Sequence, residues 1–189
     1  MIELSIHSTR VGFDFSFFAV MALMFFLDSG GLSAGIAACV IHEMGHLVVM
    51  GSTGVSVERI LFYGAGIRIS ADLSDSRFGQ RLAVLSAGCT ANLLSAFVFV
   101  ALGWNLGVAS SIATALFNLL CLGELDGAAI IRLFCERYLS PTAEKRVLLI
   151  MRLISGVLCA AMVFMLNGDV SLTLLITLVY IMFLMAFDW

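Results

Sequence analysis

Proline is almost missing from this chain. Pro141 is the only one in 189 residues, so composition gives no mark of where the long apolar runs bend or stop. Charge is scarce as well. Asp, Glu, Lys and Arg make up 12% of the residues, against about a quarter in a soluble domain. With 61% hydrophobic residues and a mean hydropathy of +1.09, this excludes an ordinary soluble domain and describes a polytopic membrane protein. The length leaves no room for a large soluble domain. The five cysteines, Cys39, Cys89, Cys121, Cys135 and Cys159, are scattered with no Cys-x-x-Cys pair. That excludes a disulfide framework or a Cys-rich zinc module, and most read as small packing residues. No internal repeat, low-complexity stretch or linker is visible. Residues 1–10 are polar and no small-residue cleavage site follows, so no secretory signal peptide is expected. The net charge of −3 says little by itself, and no nucleic-acid partner is expected.

Six apolar segments are near the ~20 residues that a membrane span needs: 11–27, 30–51, 82–102, 104–125, 147–166 and 170–187. The expected fold is therefore an all-α polytopic membrane protein, a single domain over 1–189 with six transmembrane helices. Asp14 blurs the start of the first span. Basic residues are missing from one set of turns. Arg10, the loop bearing Arg59, Arg68, Arg77 and Arg81, and the region bearing Arg132, Arg137, Lys145, Arg146 and Arg152 hold all ten. With six spans these regions share one side, and the positive-inside rule makes it the cytoplasm, with both termini there. The expected location is the bacterial cytoplasmic membrane.

Within the second segment stands Ile41-His42-Glu43-Met44-Gly45-His46-Leu47, and from Gly30 to Gly51 the only other strongly polar side chain is Ser33. On a helix, His42 and His46 are i and i+4 and share a face. That is the spacing at which two imidazoles can hold one Zn²⁺. Glu43, beside them, can act as a base toward an attacking water without being a ligand. In a soluble chain the same letters could be a solvated helix face. In a bilayer a charged side chain near the centre costs roughly 2.5–3.5 kcal/mol on insertion scales, so three ionisable groups in five residues need a shared reason. One metal supplies it.

A third ligand must lie at a similar depth. His46 and His42 are about 8 and 13 Å inside the Gly51 end at 1.5 Å per residue. Taking Arg132 as an interfacial anchor, Asp126 is about 9 Å inside if helical. His42, His46 and Asp126 then make a His₂-carboxylate set with a fourth position open. Asp126-Gly127 alone would read as a helix-end turn, and both roles are compatible. Glu124 is the rival, but two residues away on a helix it points elsewhere.

At this point the chain resembles the site-2 protease family of intramembrane zinc metalloproteases, in particular its compact six-span branch, which includes a sporulation protease that processes a pro-sigma factor. His42-Glu43-Met44-Gly45-His46 matches the family's His-Glu-x-x-His. Ala87-Gly88-Cys89-Thr90-Ala91-Asn92 resembles its Ala-Gly-Pro-x-x-Asn, and the run from Asn118 to Gly127, ending Leu125-Asp126-Gly127, resembles its Asn-x-x-Pro-x-x-x-Leu-Asp-Gly. The blocks fall in the family's order. Cys89, Cys121 and Glu124 stand where prolines are usual, and there is no room for a PDZ or CBS module. The resemblance implies one zinc per chain, a site role for Asn92 toward substrate or oxyanion, and a short membrane-associated β-hairpin between helices 2 and 3. Val55–Tyr63 and Ala65–Ser70 alternate around Gly64 in keeping with that hairpin. Gly64, Ala65 and Gly66 at its turn become candidate substrate-binding residues beside an edge strand that could pair with an extended peptide. An amphipathic loop with no substrate role fits the same letters.

The expected activity is that of a zinc metalloendopeptidase acting in or near a transmembrane segment, close to the cytoplasmic face. A pro-sigma factor, an anti-sigma factor or a remnant signal peptide fits as the membrane-associated substrate. A homo-oligomer or a regulatory membrane partner is left open. The alternative is a metal-binding membrane protein without protease activity, a transporter or a degenerate partner subunit. Residues 128–138 mix apolar and charged side chains and suggest an interfacial helix without chemistry.

Overall fold

In the computed structural model the described residues are 2–6, 9–27, 31–64, 66–73, 75–123 and 125–165. The elements run β1 (Ile2–Ile6), β2 (Thr9–Phe13), α1 (Phe15–Leu27), α2 (Leu32–Thr53), β3 (Val57–Tyr63), β4 (Gly66–Ala71), α3 (Phe78–Ala101), α4 (Asn105–Asn118), α5 (Asp126–Tyr138) and α6 (Pro141–Met165). They divide into two compact units, Met1–Phe117 and Asn118–Trp189.

The expectation of six transmembrane helices with one hairpin is corrected here. Among the described residues there are six helices and a four-stranded sheet, and two helices, α2 and α3, are long and apolar enough to cross a membrane. The expected first span (11–27) splits. Val11 to Phe13 belong to β2, which runs parallel to β3 with Val11 opposite Ile60 and Phe13 opposite Phe62. The 13 residues left in α1 reach only about 20 Å, short of a ~30 Å hydrocarbon core. The fourth (104–125) stops early, because α4 ends at Asn118. Beyond it the chain turns with Gly123 at φ +50°, a conformation costly for other residues. The Cys121 N–H, lost to the helix ladder, donates instead to Ser155 Oγ at 3.0 Å. A broken helix in lipid needs such a substitute partner. The expected 147–166 segment is largely α6, which starts at Pro141, and α5 between them is a short helix with one exposed polar face. Residues 170–187 lie outside the described residues.

The expected hairpin is present as β3 and β4 in antiparallel register, Tyr63 opposite Gly66. It is half of a larger sheet of order β1-β2-β3-β4, mixed because β2 and β3 are parallel. Where the sheet meets α1, Phe13 stacks on Phe62, and Phe17 lies tilted to the first and edge-on to the second. At that junction the Ser16 hydroxyl donates to Asp14, and this bond is the main cause that holds the Asp14 carboxyl below its usual pKa.

Two stripes organise α2. Ala34, Ala38, His42, His46 and Met50, each four residues on, are buried. Ile36, Val40, Met44 and Val48, at the same spacing, are exposed. Only 22% of the α2 span window and 33% of the α3 window is buried inside the protein. Most of the rest is exposed apolar surface, of the kind found where a membrane or a partner is met. The buried stripe packs on Val84, Ala87, Gly88, Cys89, Asn92 and Ala96 of α3, a seam of small residues of the kind that brings membrane helices close. At its centre is Gly45: a Cβ there would lie 2.7 Å from the Ala87 carbonyl oxygen and 2.7 Å from Ala91 Cβ. α4 meets α3 as well, with Ser95 Oγ donating to Ser111 Oγ at 3.1 Å.

Because the Gly45 neighbour is backbone, it cannot swing aside. Gly45→Val is expected to destabilise the detergent-solubilised protein by about 1–3 kcal/mol, the usual cost of overpacking, read as a lower thermal midpoint by circular dichroism. Gly51→Ala, where an added Cβ meets nothing within 4 Å, is expected to leave it unchanged.

Candidate metal centre

The i, i+4 spacing of His42 and His46 on α2 puts both rings against α3, 3% and 7% exposed. Their Nε2 atoms face each other at 3.3 Å. Two nitrogens bound tetrahedrally to one zinc at 2.0–2.1 Å are separated by about 3.3–3.4 Å. The pair therefore has the spacing of a shared metal before any metal is considered.

What holds the rings is on α3. His46 Nδ1 is 2.7 Å from the Val84 carbonyl oxygen, an acceptor only, so Nδ1 carries the proton and Nε2 a lone pair. His42 Nδ1 is 3.3 Å from the Asn92 side-chain amide. Asn92 is 0% exposed, and its Oδ1 has no hydrogen-bond partner. Two arrangements fit this geometry. With Nδ2 of Asn92 donating to His42 Nδ1, the His42 proton sits on Nε2 and is shared toward His46. With the amide turned over, Oδ1 accepts the His42 Nδ1–H, and both Nε2 lone pairs converge on one point. The second matches the outer-partner pattern of metal-bound histidines. It supplies a use for the unpartnered oxygen.

Gly88 makes the space. A Cβ at that position would be 2.6 Å from His42 Nε2 and closer still to His46 Nε2, in the region where the lone pairs meet. The donors, their separation and this cradle fit a zinc ion. Cys89, the next residue, is 4% exposed, and its Sγ lies within 4.8 Å of a His42 ring nitrogen. The thiol donates to the Ala115 carbonyl at 3.6 Å. The sequence suggested only packing for it. Its place in the motif, directly after Gly88, was the available signal. Glu43 is half-buried on α2 beside the pair.

The other candidates are placed differently. Asp126 is the first residue of α5 in the second unit, half-buried, with Leu125 extended before it. Gly127 packs so tightly on the Leu119 carbonyl that no side chain would fit. Gly64 ends the β3 side of the hairpin, where its N–H donates to Ser16 Oγ at 2.9 Å. Gly66 opens β4 with φ +136°. Ala65 and Glu124 lie outside the described residues.

The fold is similar to that of a solved structure, the site-2 protease from Methanocaldococcus jannaschii, with a TM-score of 0.69 and 18% sequence identity. The match covers 99% of this chain and 94% of that one. No family model and no curated protein matches this sequence. At such identity the likeness is one of fold, and it supports the relationship that the three sequence blocks suggest.

Gly88→Ala places a methyl group where the two Nε2 atoms converge. The variant is expected to fold, since its neighbours there are side chains, and to lose bound zinc. Metal analysis after gel filtration in detergent is expected to give about one zinc per chain for the parent and a value near zero for the variant.

Proposed function

We propose that this chain is an intramembrane zinc metalloprotease that hydrolyses a peptide bond in or near a transmembrane segment of a membrane-associated protein. The observation that carries the reading is the His42–His46 pair, with Nε2 atoms 3.3 Å apart and rings held by Val84 and the Asn92 amide. His42, His46 and Asp126 are the residues to hold zinc. The role of Asp126 rests on the Leu125-Asp126-Gly127 block. The ion's contribution when bound is that of a Lewis acid, polarising the scissile carbonyl and making water acidic enough to attack near neutral pH.

The chain's own residues do the rest. Glu43 takes the proton of the attacking water and returns it to the leaving amine. Asn92, against His42, orients a ring before it can serve substrate. Burial of the pair keeps the site dry, so water access and local unwinding of the substrate limit the rate. The loop between α2 and α3 carries Arg59, Arg68, Arg77 and Arg81, and the positive-inside rule places that loop in the cytoplasm. His46 is five residues from Gly51 on that side, so cleavage takes place near the cytoplasmic face. Among the described residues β4 is an edge strand, the position at which an extended peptide adds to a sheet, with Gly64 and Gly66 at the hairpin turn. A pro-sigma factor, an anti-sigma factor or a remnant signal peptide has the required form. A transporter or an inactive partner subunit would use the same histidines but has no use for Glu43.

The test compares Glu43→Gln, His42→Ala and Asp126→Asn for zinc content and for cleavage of a single-span reporter in proteoliposomes. Glu43→Gln is expected to keep zinc and lose turnover by at least the 10²–10⁴-fold typical of a general base. His42→Ala and Asp126→Asn are expected to lose both. No cleavage by the zinc-loaded parent would contradict the protease reading and favour the transporter, and full turnover in Glu43→Gln would overturn the role given to Glu43.

A further inference from the structure

We infer that Cys89 is a thiolate ligand of the same metal, so that the substrate-free site is of His₂Cys character. The inference rests on the zinc reading above and goes beyond it. A buried cysteine is commonly a small hydrophobe, and the bond to Ala115 would satisfy that role. Three observations carry it further. The first is position: Cys89 follows Gly88, the residue whose missing side chain leaves room at the two Nε2 atoms. Its sulfur is already within 4.8 Å of a His42 nitrogen. A nitrogen and a sulfur on one tetrahedral zinc are about 3.6 Å apart, from bonds of ~2.05 and ~2.3 Å. A rotation about χ1 of Cys89 is the movement that brings the sulfur to that separation.

The second is the character of the thiol's bond to Ala115: it spans 3.6 Å, and S–H is a weak donor, so this bond yields readily to a metal. The third is independent of the cysteine. Asn92, one turn along the same buried face of α3, is fully buried with an unpartnered Oδ1. It is accounted for when its oxygen backs His42 and the ring presents Nε2 to a cation. The seam therefore gathers two imidazoles and a thiol, with the Asn92 amide behind the His42 ring, a donor set that suits zinc and the softer cadmium ion. On loading, the S–H bond breaks and an S–metal bond forms. The proton leaves to solvent, and Ala115 loses its donor. The thiolate then fills a position that water needs, and hydrolysis begins by its displacement.

The probe is cobalt(II), loaded into the metal-stripped full chain in detergent. The parent is expected to bind one cobalt per chain and to show a thiolate-to-cobalt charge-transfer band in the near ultraviolet. Cys89→Ser is expected to keep the cobalt stoichiometry and lose that band. A parent spectrum with ligand-field bands alone, or a band that survives Cys89→Ser, overturns the inference and leaves the zinc reading standing. Failure to bind cobalt at all overturns both. Should Cys89→Ser not fold, ¹¹³Cd nuclear magnetic resonance on the parent decides. A resonance in the deshielded, thiolate-bound range upholds the inference, and one in the nitrogen and oxygen range overturns it.

Discussion

The close approach of α2 and α3 is the constraint from which the site follows. Gly45 lets α2 come down on the Ala87 carbonyl and Ala91, and Gly88 lets α3 come up to the imidazoles. With a larger residue at Gly45 the helices would separate, and one at Gly88 would push the imidazoles aside. Val84 and Asn92 would then no longer reach the Nδ1 atoms of His46 and His42. Packing of small residues, which drives membrane helices together where no hydrophobic effect can, is here also what fixes ring orientation. Stability and chemistry share one seam. A mutation in it is expected to disturb both.

The lipid explains why the donors are arranged with so little slack. Buried polar groups in hydrocarbon have no water to fall back on, so each imidazole is tied at its outer nitrogen to α3. The inner nitrogens are left 3.3 Å apart. Held at Nδ1 by α3, the two rings offer a cation between them ligands that are already oriented. The outward faces of α2 and α3 carry the opposite specification. Residues such as Val48, Leu94 and Phe97 are exposed, an apolar surface of the kind that lipid solvates.

The approach of the two histidines was legible because it is local. His42, Glu43 and His46 sit on one helix, where spacing alone fixes direction, and α2 has nearly the expected bounds. The two strands of the α2–α3 loop were legible for the same reason, as period-2 alternation on each side of Gly64. What failed depends on contacts distant in sequence. Val11 and Phe13 are apolar enough for a span, and only pairing with Ile60 and Phe62 makes them a strand. The alternation of Ile2, Leu4 and Ile6 was a signal for β1, hidden in a stretch read as polar. The fourth segment stays apolar through its break, and with prolines absent only Gly123 and the Ser155 bond to Cys121 reveal where the helix stops. Cys89 and Asn92 acquire meaning only when α3 is laid against α2.

The central claim is that the His42–His46 pair is built to receive one metal at its two Nε2 atoms. Crystals of the full chain soaked in zinc, with anomalous data collected on both sides of the zinc absorption edge, test it directly. The account predicts one anomalous peak per chain, bonded to Nε2 of both histidines, with their Nδ1 atoms still on Val84 and Asn92. A site free of zinc at neutral pH, or zinc bound through Nδ1, would contradict it.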